Sequence, residues 1–268
     1  MTPLKPFEKK LFRAVQKAST QASKIQKKYY RSNLGFKFKG RVNLITKADL
    51  DSQAAIIKTI RKAFPSHHIV AEEKDFGKKQ TFKGPTWIID PLDGTTNFAH
   101  RLSQFAISIA FWNEGEIQLG WIHAPILNET FFAFKNKGAY LNGKKIHVSS
   151  TKKLKDSFLV TGFAYDRHTT NYNNLDLFGF FEMHSISVRR LGSAALDLAY
   201  VAAGRFDGYW EKGLFPWDVA AGILIVLEAG GQVTDFASKP ITNLWNKEIV
   251  ATNAKIHSKL ILKTKTYR

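Results

Sequence analysis

Residues 87–98 read Trp-Ile-Ile-Asp-Pro-Leu-Asp-Gly-Thr-Thr-Asn-Phe. An apolar strand runs to Asp90, and Pro91 breaks it. Asp93 follows three residues on, Gly94 permits a tight turn, and Thr95 or Thr96 can cap a following helix. The pattern predicts a strand, a turn and a helix. Two hard oxygen donors leave one strand end and meet the positive end of a helix dipole. That arrangement suits a magnesium ion bridging a phosphate, whose other oxygens take backbone N–H groups of the turn. A capped turn with two solvated aspartates has the same local sequence, so the rest of the chain must decide.

Two further acidic positions stand out. Glu72 and Glu73 directly follow the apolar residues 69–71. Trp217-Asp218 opens a helix whose next residues are Val219, Ala220, Ala221 and Gly222. Small residues let such a helix pack closely and hold its first turn rigidly, as a metal ligand requires. Asp218 can equally be an N-cap alone. Magnesium keeps waters and uses a few carboxylates plus substrate phosphate, so four carboxylates from three segments can hold more than one ion.

Around these segments the periodicity changes once. Leu11, Val15, Ala18, Ala22, Ile25 and Tyr29 mark one face of a long helix, and 51–64 reads as a second helix stopped by Pro65. Three β-rich runs fill 104–134, with turns at 113–115 and 125–128, and a hairpin follows at 138–143. Beyond residue 150, strands near 158–161, 185–188, 208–210 and 249–251 alternate with helices near 193–203, 217–229 and 255–262. This predicts an N-terminal α+β half, 1–150, carrying Glu72, Asp90 and Asp93. A C-terminal α/β half, 151–268, carries Glu211 and Asp218, and the two share an interface.

Composition narrows the chemistry. The chain has 268 residues and no cysteine, which excludes disulfides, cysteine-ligated metals and a cysteine nucleophile. It fits a reducing compartment, and a cytoplasmic protein without membrane association is expected. The longest apolar run, 219–227, is too short to span a bilayer. The net charge is +18, and it is uneven: residues 1–50 hold thirteen basic and two acidic side chains, and 135–155 hold seven basic and none acidic. The metal-ligand candidates lie in near-neutral stretches between the basic ones. A field of this sign concentrates anions such as phosphate esters, nucleic acid or acidic proteins, and scattered lysines also serve plain solubility. No two of the eight histidines have metal-ligand spacing on a shared helical face.

Taken in order, the segments resemble the inositol monophosphatase family of magnesium-dependent, lithium-sensitive phosphatases. The resemblance rests on Glu72-Glu73, on Asp90-Pro-Leu-Asp-Gly-Thr-Thr-Asn-Phe and on Trp217-Asp218-Val-Ala-Ala-Gly. It extends to Lys39-Gly-Arg-Val-Asn-Leu-Ile-Thr-Lys-Ala-Asp49, to 190–204 and to Glu211. It implies an α/β sandwich layered αβαβα and two to three magnesium ions. Glu72, Asp90 and the Leu92 carbonyl would hold the first ion, and Asp90, Asp93 and Asp218 the second. Glu72 would also place a weaker third through waters. Leu92 stands where many relatives have isoleucine, a change that leaves its carbonyl in place. The resemblance gives Asp49 the task of orienting the Thr95 hydroxyl, which with Glu72 activates a water. It assigns substrate contact to Asp93, Gly94, Thr95, Gly192, Ser193, Ala194, Glu211 and Asp218.

The ester is less defined than the chemistry, because one fold serves several substrates. Glu211 stands where the family has a carboxylate that accepts sugar-ring hydroxyls, and it would repel a second phosphate unless Arg190 and Lys212 offset it. An inositol or similar polyol monophosphate is therefore expected. Histidinol phosphate, fructose 1,6-bisphosphate and 3′,5′-bisphosphate nucleotides are the alternatives. Glu211 also reads as a surface residue paired with Lys212. The family commonly forms homodimers. Some bacterial relatives suggest contact with nucleic acid or a transcription complex through the basic surface.

Overall fold

The structure is a computed structural model. It describes residues 3–32, 37–39, 43–45, 47–75, 78–164, 167–170 and 173–267. Of the segment 39–49, residues 40–42 and 46 lie outside the described residues. The chain opens with α1 (Pro6–Tyr30), an antiparallel pair β1 (Lys37–Lys39) and β2 (Asn43–Ile45), and α2 (Lys47–Ala63). Then come β3 (His68–Ala71), the short α3 (Glu72–Asp75), β4 (Thr86–Asp93) and α4 (Thr95–Ala99). A meander follows: β5 (Ala106–Asn113), β6 (Glu116–Ala124), β7 (Glu129–Phe134), β8 (Ala139–Leu141) and β9 (Lys144–Ile146). Strands β3 to β9 form one sheet in chain order, antiparallel except where β3 runs parallel to β4.

The second sheet comes from β10 (Phe158–Thr161), β11 (Ser187–Arg189), β12 (Gly208–Lys212), β13 (Gln232–Thr234) and β14 (Glu248–Thr252). Their spatial order is β11-β10-β12-β14-β13. Between them run α5 (Leu175–His184), α6 (Ala194–Ala202) and α7 (Pro216–Glu228), and α8 (His257–Thr264) closes the chain. Helix α5 carries apolar residues on its exposed side too, Leu175 and Met183 among them, so no 3.6-residue stripe announces it in the sequence.

Strand alternation builds the layers. In β4, Trp87 and Ile89 face Leu11, Val15, Ile56 and Ile60 of α1 and α2, while Ile88 faces the opposite way, toward α6 and α7. In the second sheet, Val160, Tyr209 and Ile249 meet the same α6–α7 layer from its other side. Leu159, Trp210 and Val250 pack outward on Phe181 of α5 and Leu260 of α8. The order is therefore α1/α2, seven-stranded sheet, α6/α7, five-stranded sheet, α5/α8: the expected αβαβα sandwich. Helix α7 lies at its centre, where two glycines set the spacing. A Cβ on Gly120 would fall 2.4 Å from the Ala221 carbonyl oxygen, and one on Gly222 2.5 Å from Leu198 Cδ1. Among the described residues, no helix is long and apolar enough to cross a membrane.

Candidate active site

The site forms where the C-terminal end of β4 meets the first turns of α6 and α7. Pro91 does not end β4, as the sequence suggests. The pairing Asp90–Ser108 is followed by Asp93–Ala106, so three residues on β4 advance against two on β5. This bulge lets the strand continue past the missing proline N–H and re-aims Asp93. Buried Gln26 of α1 steadies it by donating from Nε2 to the Pro91 carbonyl at 2.6 Å.

The helix cap also differs from expectation. Gly94, with φ of 92°, is the N-cap of α4, and Thr95 is the first helical residue. A Cβ on Gly94 would lie 2.8 Å from the Gln104 carbonyl and 3.3 Å from that of Gly192, so both the backbone angle and the space call for glycine. The Thr95 hydroxyl is thereby released from capping. It donates to Asp49 Oδ1 at 3.0 Å and stands 3.1 Å from the Leu92 carbonyl oxygen. Asp49 comes from the start of α2 and is wholly buried.

Asp93 joins the two halves of the chain. Its Oδ2 accepts from Ser193 Oγ at 2.5 Å and from the Ala195 N–H at 2.8 Å, both at the N-terminus of α6. Ser193 is the α6 N-cap, and its oxygen also accepts from the Leu196 N–H. Asn97 Nδ2 donates to the Gln104 and Leu191 carbonyls, at 2.6 and 2.7 Å, and so binds the α4 turn to the loop carrying Gly192. Asp218 is the third residue of α7, not its cap. Its Oδ2 accepts from the Phe215 N–H at 2.8 Å, the return bond of a capping box. Ser108 fixes the same turn by donating to the Trp217 carbonyl at 3.0 Å. Glu72 and Glu73 begin the turn α3, and the Glu73 N–H donates to Gln53 Oε1 at 2.9 Å.

These acids feel one another's charge. Burial, then the neighbouring carboxylates of Glu72, Asp93 and Asp218, hold the Asp90 carboxyl well above the usual range. Asp218 is raised in the same way by burial and by Asp93 and Glu72. Asp93 is pushed up to about 6 by burial, against the lowering effect of its bonds from Ser193 and Ala195. Among the described residues no three acid or histidine side chains already enclose a point that could hold an ion. The donor set nonetheless fits a hard divalent cation. Asp90 Oδ1 and Asp218 Oδ2 are each fixed by a backbone N–H, and among the described residues the second oxygen of each accepts no hydrogen bond. Oriented, mutually repelling carboxylates of this kind lack only positive charge.

Glu211 is 7% exposed, which overturns the surface reading. It lies on β12 and receives a 2.6 Å hydrogen bond from the Tyr209 hydroxyl, two residues away on the same strand face. Lys212, on the opposite face, lies over the Phe236 ring. Burial first, and Asp93 further, push the Glu211 carboxyl up to about 8, while Tyr209 and Arg190 oppose the shift. The space for its carboxylate comes from Gly162. A Cβ there would stand 2.0 Å from Glu211 Oε2. Tyr209 is legible as the residue two before Glu211, whereas nothing local marks Gly162 as its neighbour.

Residues 8–267 match the inositol monophosphatase family. An inositol-1-monophosphatase of Synechocystis is 46% identical over 224 residues, 83% of this chain and 77% of that one. The Nus factor SuhB of Escherichia coli is 46% identical over 201 residues, 74% of each. Among solved structures, the inositol monophosphatase of Anabaena superposes with a TM-score of 0.84 at 41% identity, covering 95% of this chain and 94% of its own. The protein is a phosphoric monoester hydrolase by class. The chain belongs to the inositol monophosphatase family.

Proposed function

We propose that this chain hydrolyses inositol monophosphate, or a similar polyol phosphate, to the free alcohol and inorganic phosphate with two to three magnesium ions. The supporting observation is the mutual approach of Asp90, Asp93, Asp218 and Glu72 beside the Gly94 turn. Glu72, Asp90 and the Leu92 carbonyl hold one ion, and Asp90, Asp93 and Asp218 the second. Glu72 also steadies a weaker third through waters. Magnesium bound there supplies the charge that neutralises the phosphate and brings the pKa of water toward neutrality.

The chain's own groups do the rest. Backbone N–H groups of Gly94 and Thr95 at the head of α4 bind the phosphate oxygens. The Thr95 hydroxyl proton is committed to Asp49, so its lone pairs are available to a water O–H. With Glu72 as the second acceptor, that water is oriented for in-line attack and its proton has a place to go. Gly192, Ser193 and Ala194 line the entry to the substrate, and Glu211 accepts hydrogen bonds from ring hydroxyls.

A phosphate-release screen tests this reading. Inositol 1-phosphate should be hydrolysed fastest among itself, histidinol phosphate, fructose 1,6-bisphosphate and adenosine 3′,5′-bisphosphate. It should be hydrolysed only with magnesium, and lithium should inhibit by taking the second site. A faster rate on one of the others would move the chain to a different phosphatase on the same scaffold. Full activity without a divalent cation would overturn the site assignment. We also propose a homodimer in a reducing, cytoplasmic setting. Light scattering at micromolar concentration should give twice the chain mass, and a monomeric mass would overturn it.

A further inference from the structure

Helices α1 and α2 run antiparallel on the outer face of the seven-stranded sheet. The Tyr29–Asp51 and Thr59–Gln21 hydrogen bonds and the Phe7–Phe64 ring contact mark the pairing. Between them lies a groove of about 750 Å³. Six cations line it, Lys9, Lys10, Arg13 and Lys17 from α1 with Lys58 and Lys62 from α2, and no acid does. All six are exposed, and among the described residues none forms an ion pair. Glu8, the one acidic residue of α1, is engaged elsewhere, with Lys137 and the Lys5 N–H. Arg13 with Lys17 and Lys58 with Lys62 are like charges at i,i+4, an arrangement that costs helix stability unless an anion is bound between them. None of the candidate active-site residues lines the groove.

We propose that this groove binds the phosphate backbone of a single-stranded nucleic acid. Two packed helices stand about 8–10 Å apart axis to axis and touch along their seam, so the groove is an open surface trough in which one extended strand meets cations from both sides. Along α1, Lys10 to Lys17 spans roughly 10 Å at 1.5 Å per residue, enough to meet more than one phosphate of an extended strand. The lining contains no aromatic ring on which bases can stack, so the backbone is held and sequence is not read. The Lys10 ammonium is itself held over the Phe64 ring, 4.7 Å from its centroid, which reduces its freedom before binding. Polar contact is also available from Gln21, whose Oε1 is taken by Thr59 while among the described residues its Nε2 donates to no acceptor.

The test uses the full chain, a fluorescein-labelled mixed-sequence 12-mer as ribo- and deoxyribo-oligonucleotide, and anisotropy at 50 and 200 mM salt. Six phosphate contacts at a slope of about −0.7 each weaken binding roughly 300-fold across that range. The triple reversal Lys10→Glu, Arg13→Glu, Lys17→Glu should lower the slope to about −2 and the affinity at 50 mM by more than about tenfold. The matched reversal Lys152→Glu, Lys153→Glu, Lys155→Glu makes the same change in net charge at another exposed basic run and should leave most of the binding. Both variants should keep wild-type phosphate release and melting temperature, which separates lost binding from lost fold. Binding should survive chelation of divalent cations, which separates the groove from the active site. Groove-dependent binding of either oligonucleotide supports the proposal, and their ratio tells which sugar is preferred. Equal losses in the two triple variants would overturn it, as would no binding at 50 mM. So would groove-dependent binding of a polyglutamate peptide or of phosphatidylserine vesicles in place of the oligonucleotides.

Discussion

Asp93→Asn should nearly abolish phosphate release while leaving the fold intact. Asparagine keeps the shape of aspartate and one carbonyl oxygen, which can go on accepting from Ser193 Oγ and the Ala195 N–H. It loses the charge that the proposed second ion requires and turns an NH₂ group toward it. Removing even an outer-shell partner of a metal ligand typically costs about 10–100-fold, so loss of a direct ligand should exceed a hundredfold at saturating magnesium. A variant retaining more than a few per cent of the wild-type rate would show that the two-ion assignment is wrong. Stability gives an independent readout. With its pKa raised to about 6 from 3.8, Asp93 favours the folded state most when protonated, and that contribution is lost as pH rises through 6. The metal-free variant should therefore melt above the metal-free wild type at pH 7.5, and the gap should close toward pH 5.

Glu211→Gln separates recognition of the alcohol from the chemistry. Above about pH 8, where the Glu211 carboxylate is charged, the loss of a charge-assisted hydrogen bond to a substrate hydroxyl is worth roughly 1.5–3 kcal/mol, or about ten- to more than a hundredfold in kcat/KM. It should be large for inositol 1-phosphate and small for an aryl phosphate without ring hydroxyls, with magnesium dependence barely changed. The structure adds a pH signature. Glutamine has the shape of the protonated acid, and Glu211 holds its proton up to about pH 8. The ratio of wild-type to variant kcat/KM should therefore rise as pH passes from 6 to 9. Equal losses on both substrates would make Glu211 a support of the metal site or the fold. No loss on either would remove the main support for a polyol substrate.

What could be read from the sequence was what local patterns report. The 3.6-residue stripe of Leu11, Val15, Ala18 and Ala22 is the face α1 buries, and the small residues after Asp218 do pack closely, with Gly222 against Leu198. Local punctuation marked Asp90, Asp93 and Asp218 singly, and only the order of the segments along the chain, as a family resemblance, made them a set. The bulge that carries β4 past Pro91 could not be read, because it depends on pairing with Ser108 and Ala106 of a different strand. The same limit hid the N-cap role of Gly94, which is decided by the carbonyls of Gln104 and Gly192 pressing on it. Glu211 shows the limit most clearly. A glutamate beside a lysine looks solvated in sequence, and its burial is set by Tyr209 and by a glycine forty-nine positions earlier in the chain.

That glycine constrains how this enzyme can change over evolution. The Glu211 carboxylate occupies the volume that any side chain at 162 would fill. The two positions are therefore epistatic: substitution at 162 is tolerated only after the acid at 211 has been shortened or replaced, because a methyl group there evicts the carboxylate from its bond with Tyr209. A lineage that fills position 162 has to pass through position 211 first. Asp90, Asp93 and Asp218 are held by other elements, and Asp93 and Asp218 feel position 211 through its charge. The order of mutational steps at this pair thus has one permitted direction.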